Sequence, residues 1–124
     1  KISDEELGFI TGENDIKSAL PKLFTGNVKL VIYTCGSEGA YAFTKNAQAF
    51  AESEKVKAVD TTGAGDGFIG SYLYALKTLN VTAESLCDLD DAQLERCIAF
   101  SNKFCGESVK HQGAIDSYRK IEFI

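Results

Sequence analysis

Asp60-Thr61-Thr62-Gly63-Ala64-Gly65-Asp66-Gly67-Phe68 decides how this chain is read. A short run of strand formers ends at Val59, just before it. Gly63, Ala64 and Gly65 let the backbone turn without Cβ clashes. An apolar stripe at helical spacing begins directly afterwards, with Phe68, Ile69, Tyr72, Leu73, Leu76 and Leu79 on one side. The stretch predicts a strand, a tight turn and a helix over residues 64–79. The first N–H groups of such a helix have no acceptor within it. With the aligned peptide dipoles they favour an anion at the turn, most naturally a phosphate.

Asp66 falls in the first turn of that helix. A carboxylate beside a bound anion is repelled by it unless a hydroxyl lies between them. In that position Asp66 can accept the hydroxyl proton while the free amides stabilise a migrating phosphoryl group. A plain helix-start carboxylate is the other reading, and the stretch alone leaves both open. Gly65-x-Gly67-x-x-Gly70 also fits a dinucleotide fingerprint, with Asp88 and Asp90 about 20 residues further on. Gly67 and Gly70 would then lie inside the helix, and the acidic residues follow no second strand, so that match is weak. No Gly-Lys-Ser/Thr is present, which excludes a Walker A loop.

The remaining composition narrows the class. The chain has 124 residues, 44% of them hydrophobic, and 13 Lys plus Arg against 18 Asp plus Glu, for a net charge of −5. That is too apolar for a disordered chain. No apolar run approaches the roughly 20 residues of a membrane span. The acidic balance argues against a nucleic-acid or anionic-membrane surface. Cys35, Cys87, Cys97 and Cys105 form no Cys-x-x-Cys, and the single His, His111, completes no zinc spacing. Free thiols are the expectation, which fits a cytoplasmic setting. The chain has no Met, and a helix signal starts within its first residues. It is therefore expected to be a piece of a longer protein.

Outward from the glycine turn, the elements alternate between helix and strand. Residues 3–10 read as a short helix, with Ser3 as cap, Glu6 three residues on, then Leu7 and Ile10. Residues 13–24 carry an amphipathic stripe interrupted by Pro21, which should kink or end it. Lys29-Leu30-Val31-Ile32-Tyr33-Thr34 suggests a strand buried on both faces, as in a parallel sheet under helices. After a turn at residues 36–39, residues 40–44 read as a returning strand with a hairpin tip at Lys45-Asn46. Residues 47–52 and 55–59 suggest further short strands, and residues 90–106 a second long helix. A loop over 107–116 and a short terminal helix or strand follow. One α/β domain covers residues 1–124.

These residues resemble a known family. Asp60-Thr61-Thr62-Gly63-Ala64-Gly65-Asp66 is similar to the C-terminal signature of the ribokinase/fructokinase (PfkB-type) carbohydrate kinases. Thr34-Cys35-Gly36-Ser37-Glu38-Gly39 resembles that family's Thr-x-Gly-x-x-Gly nucleotide loop. Asn102, eleven residues before Gly113, matches an asparagine near the adenine, and Gly113-Ala114 with Ser117 resembles the closing loop of a monovalent-cation site. Lys1 to Leu7 with Phe9-Ile10-Thr11-Gly12 tilts the resemblance towards fructokinase rather than ribokinase. The likeness runs from residue 1 to about 118 and corresponds to the C-terminal half of a family member.

The resemblance implies a ribokinase-like three-layer αβα fold, with a mostly parallel sheet and helices on both faces. It implies ATP-dependent phosphorylation of a sugar primary hydroxyl, with ATP and Mg2+ required and K+ as a further ion. Asp66 would be the general base, and Gly63, Ala64 and Gly65 the anion hole. Thr34, Cys35, Gly36, Ser37, Glu38, Gly39 and Asn102 would line the ATP site. Asp60, Thr62, Ser108, His111, Gly113 and Ser117 would surround a monovalent cation, His111 through its carbonyl if at all. Glu6 would act indirectly on Mg2+ in an Asn-x-x-Glu element where this chain has Ser3 instead of Asn. Ser3 reads equally well as a helix N-cap. Lys103, Phe104 and Gly106 stand at positions where mostly small residues are expected around the base. Family members bind the sugar with an N-terminal half and a β lid. Without these the 124 residues alone are expected to lack useful kinase activity, the alternatives being a nucleotide-binding module without catalysis, or a kinase acting on another family substrate such as 2-keto-3-deoxygluconate, ribose or a nucleoside. An unpaired sheet edge is expected to favour a homo-oligomer or self-association.

Overall fold

The computed structural model describes residues 1–123. Its elements are β1 (Ile2–Ser3), α1 (Asp4–Thr11), α2 (Ile16–Leu23), β2 (Val31–Thr34), β3 (Gly39–Phe43), β4 (Gln48–Glu52), α3 (Ala64–Thr78) and α4 (Asp91–Ser108). Short 3-10 turns over Gly36–Glu38 and Leu86–Asp88 lie between them.

Local chemistry accounts for the helix ends. The Ser3 hydroxyl accepts from the Glu6 amide at 3.2 Å, and the Glu6 carboxylate accepts from the Ser3 amide at 2.8 Å. This capping box starts α1, and Gly12 ends it in the left-handed region at φ 74°. Asp15 caps α2, which runs through Pro21 and stops two residues later. That is the early ending expected of a residue with no N–H for the helix. Asp90 and Gln93 form a second capping box at the start of α4.

The sheet order is β1-β2-β3-β4. β1 pairs parallel to β2, whereas β2–β3 and β3–β4 are antiparallel. The sheet is therefore mixed, which corrects the mostly parallel expectation. The returning strand β3 and the hairpin tip after it form as read from the residues, and they supply the antiparallel pairs. The tip holds because the Thr44 hydroxyl accepts from the amides of Asn46 and Ala47.

Both faces of the sheet are covered, as expected. Val31 and Phe43 pack with Ile2, Leu7, Ile16 and Ala19 beneath α1 and α2. Ile32, Ala40 and Ala42 pack with Phe68, Tyr72, Ala75, Leu76, Leu94, Cys97 and Ile98 from α3 and α4. The alternation of Val31 and Ile32 explains the continuous apolar run in β2. Leu73 departs from its expected stripe and is 58% exposed, because a 100° step carries it off the face of Tyr72. Tyr72 is fully buried, and its hydroxyl has no hydrogen-bond partner among the described residues.

Two expected elements are absent. Residues 55–59 form no strand, because their alternating pattern meets no neighbouring strand. Instead, the amides of Val59 and Asp60 donate to the Val109 carbonyl at 2.7 and 3.1 Å. The terminal stretch forms neither helix nor strand over its described residues. It is held by packing, with the Phe123 ring edge-on to Phe100 and beneath the Arg96 guanidinium. All four cysteines are free thiols.

Candidate active site

The glycine turn is organised from its first residue. One Asp60 oxygen accepts from the Thr62 amide at 2.9 Å and from the Thr62 hydroxyl at 2.6 Å. The other accepts from the Gly113 amide at 2.9 Å. The two hydrogen bonds from Thr62, with that from Gly113, hold the Asp60 carboxyl below the usual Asp range. The Ala64 amide then donates to Thr61, and Gly63 sits at φ 77°, a conformation that favours glycine. The amides of Gly65 and Asp66, at the start of α3, have no acceptor among the described residues. They are the free donors anticipated for an anion.

Gly65 and Ala64 line a cleft of about 390 Å3. Thr34, Gly36, Ser37 and Gly39 form the opposite wall, with Ser3 and Asn102 also lining it. Ala64 and Gly65 thus face the same cavity as four residues of the 34–39 loop, far apart in sequence, whereas Gly63 does not line it. Gly39 could be no other residue, because a Cβ there would run into the Ala51 carbonyl of β4. The Ser53 hydroxyl donates to the Gly36 carbonyl, and the Lys55 ammonium to that of Ser37.

Several expected residues take other positions. Cys35 and Glu38 do not line the cleft. Burial pushes the Cys35 thiol up, aided by the charge of Asp4. Glu6 also lies off the cleft, and its carboxylate is engaged by the Ser3 amide, whose hydrogen bond holds it below the usual range. The cap reading of Ser3 and Glu6 therefore has direct geometric support. Asn102 lines the cleft, yet its amide group donates to the Ala51 and Glu52 carbonyls at 2.9 and 3.0 Å. Phe104 turns away onto Tyr118, with ring centroids 5.2 Å apart, while Gly106 borders the cleft against Glu54. Asp66 is exposed on the first turn of α3, and no hydrogen bond or ion pair engages its carboxylate among the described residues.

The residues assigned to a cation gather behind the turn. The bond from Gly113 to Asp60 draws the 107–117 loop against residues 60–63. Ser108 and Ser117 are buried, and their hydroxyls donate to the carbonyls of Cys105 and Ala114. The His111 amide donates to the Ser108 carbonyl. This set offers hard oxygen atoms of the kind an alkali cation takes. No cluster of three His, Cys, Asp or Glu side chains suited to a metal occurs among the described residues.

Two further residues escaped the sequence reading. Lys1 is the one cationic side chain lining the cleft among the described residues, and its ammonium would lie 3.2 Å from a Cβ on Gly65. Tyr118 donates from its hydroxyl to the Gly63 carbonyl at 2.8 Å. A lysine just before a cap signal carries no pattern of its own, and Tyr118 stands 55 residues from its acceptor.

A helix-flanked sheet with a glycine turn feeding a helix start on a shared cleft places the chain in the ribokinase-like α/β class. More narrowly, the chain belongs to the pfkB family of carbohydrate kinases, whose family model matches residues 1–121. It is 37% identical over 117 residues to Fructokinase-2 of Zea mays, covering 93% of this chain and 33% of that relative. The structure of fructokinase with bound ATP from Xylella fastidiosa matches with a TM-score of 0.85 at 24% identity, over 94% of this chain and 38% of that one, and so shares the fold. Fructokinase from Vibrio cholerae O395, in its fructose, ADP and calcium ion bound form, matches with a TM-score of 0.76 at 31% identity, over 93% and 35%. The chain spans about a third of the length of the curated relatives it matches. No described helix is long and apolar enough to cross a membrane.

Proposed function

We propose that this chain supplies the nucleotide-binding and phosphoryl-transfer part of an ATP-dependent sugar kinase with a fructokinase-like acceptor. The observation that carries this reading is the pair of free amides at Gly65 and Asp66, set where the glycine turn meets a cleft lined by Thr34, Gly36, Ser37 and Gly39. ATP occupies that cleft with its terminal phosphate towards the start of α3. Asp66 takes the proton of a primary hydroxyl, the alcohol oxygen forms a bond to the terminal phosphorus, and the bond to ADP breaks. The amides of Gly65 and Asp66 stabilise the charge on the transferring group, and the Lys1 ammonium adds a positive charge beside it.

Mg2+ bound to the nucleotide would supply charge neutralisation; Asp4, Glu5 and Glu54 on the cleft wall suit a metal-compensated polyphosphate. K+ held by oxygen atoms around Asp60, Ser108, Gly113 and Ser117 would stiffen the turn without touching substrate. Such a kinase is about three times the length of this chain. We therefore assign the acceptor pocket and its cover to a further polypeptide segment, and expect the 124 residues alone to turn over little ATP. β1 and β4 are the outer strands of the sheet, which supports self-association when the chain stands alone.

The test is Asp66→Asn in the complete kinase, with fructose as acceptor. Turnover should fall by about 100-fold or more while ATP affinity stays within about twofold. Unchanged turnover would remove Asp66 as the base, and ATP binding with no sugar-dependent turnover in the wild type would favour a nucleotide-binding module. NAD binding is not expected, because Gly67 and Gly70 lie inside α3 and Asp90 caps a helix.

A further inference from the structure

Tyr118 reaches the glycine turn from the far end of the chain. Its hydroxyl donates to the Gly63 carbonyl at 2.8 Å, and that carbonyl also accepts from the Gly67 amide at 2.8 Å. On the other side of the same peptide unit, the Ala64 amide donates to the Thr61 carbonyl at 3.1 Å. The peptide is planar, so fixing its oxygen and its N–H fixes the plane. That plane sets the direction of the amides that follow at Gly65 and Asp66.

The ring is wedged as firmly as the hydroxyl is bonded. A Cβ on Gly67 would lie 3.1 Å from the Tyr118 ring and 3.1 Å from that of Phe104, and a Cβ on Gly63 would meet the Tyr118 oxygen at 3.2 Å. Gly67 is thus small because an aromatic ring occupies the space beside it, although glycine weakens a helix interior. The segment presenting the ring is itself held, by the buried Ser117 hydroxyl on Ala114 and by the Tyr118 amide on Ile115.

We propose that Tyr118 is a positioning residue for phosphoryl transfer, a latch that aims the amides of Gly65 and Asp66 by holding the Gly63 carbonyl. The proposal rests on the kinase reading above. Its action is indirect, so it should appear in turnover and not in nucleotide affinity.

The test is Tyr118→Phe in the complete kinase, which keeps the ring and removes one hydrogen bond. kcat is expected to fall about tenfold, with the ATP KM within about twofold and the melting temperature nearly unchanged. An active wild type with unaltered kcat in Tyr118→Phe overturns the latch alone. Loss of activity only in step with lowered melting temperature overturns it too, since that is a merely structural role. A wild type without sugar-dependent ATP turnover removes the kinase reading and the latch together. A second measurement does not depend on activity: Gly67→Ala should lower the melting temperature of the wild type, and lower it less in a Tyr118→Ala background, where the Phe104 ring alone remains beside the new Cβ. An equal effect of Gly67→Ala in both backgrounds would show that the ring does not fill that space, and would overturn the proposal.

Discussion

The Gly113 amide donates to the Asp60 carboxylate across 53 residues of sequence, at 2.9 Å. One side chain thereby joins the glycine turn to the loop that closes behind it. Asp60→Ala should free both. Acid should have the same effect: the Asp60 carboxyl is held below its ordinary value of 3.8 in the folded chain. Its stabilising contribution is fully present above that pH and is lost as pH falls through the lowered folded value. Protection factors of the Gly113 and Thr62 amides, taken relative to intrinsic exchange at each pH and followed from pH 6 downwards, should fall at the acid end, and should show no such fall in Asp60→Asn.

Gly63→Ala should be costly. The residue is in the left-handed region at φ 77°, and a Cβ there would approach the Ala114 Cβ to 2.9 Å. The two effects together should cost about 2 kcal/mol or more, lowering the melting temperature by roughly 5–10 °C. A change within a degree would show that the turn relaxes freely.

Tyr72→Phe should stabilise the fold. The wild-type hydroxyl is buried without a partner among the described residues. Removing it relieves a desolvation cost of about 1 kcal/mol while keeping the ring volume. Calorimetry should show a rise of a few degrees; a fall would mean the hydroxyl has found a partner.

Asn102→Asp should destabilise more than Asn102→Ala. The amide donates to two adjacent carbonyls of β4, and a carboxylate would face the same carbonyls without a proton to give. Alanine should cost about 2–3 kcal/mol in denaturant unfolding, and aspartate more. Equal costs would indicate that β4 moves away from α4.

Cys105 should resist alkylation although it lines the cleft. Burial pushes its thiol up to about 12 and that of Cys97 to about 11, and the Cys105 thiol donates to the Ala64 carbonyl at 3.3 Å. At pH 8 the thiolate fractions are about one in ten thousand and one in a thousand. Peptide mapping after brief iodoacetamide treatment should find both residues unmodified; rapid labelling would show that α4 opens.

Much of the fold was legible because its causes are local. The helix expected over 64–79 forms as Ala64–Thr78, and the cap at Ser3 is made by a residue three positions away. The glycine turn was legible too, since small residues before an apolar helical stripe constrain only their own neighbourhood. The polarity of the sheet was legible only in part: the returning strand and its hairpin tip show in the turn residues, whereas the apolar run of β2 is the same whether its neighbours run with it or against it. Residues 55–59 alternate like a strand, yet a strand needs a partner, and none runs beside them.

Tertiary contacts settled the remaining parts of the site. The hold of Asn102 on β4 and the approach of Tyr118 to Gly63 each depend on a side chain's surroundings. A motif records which residues neighbour one another along the chain. It carries no record of which carbonyl, 50 or 55 residues away, a donor will meet once the layers close. That meeting is decided by packing, because buried donors and acceptors must find partners within the space the core leaves them.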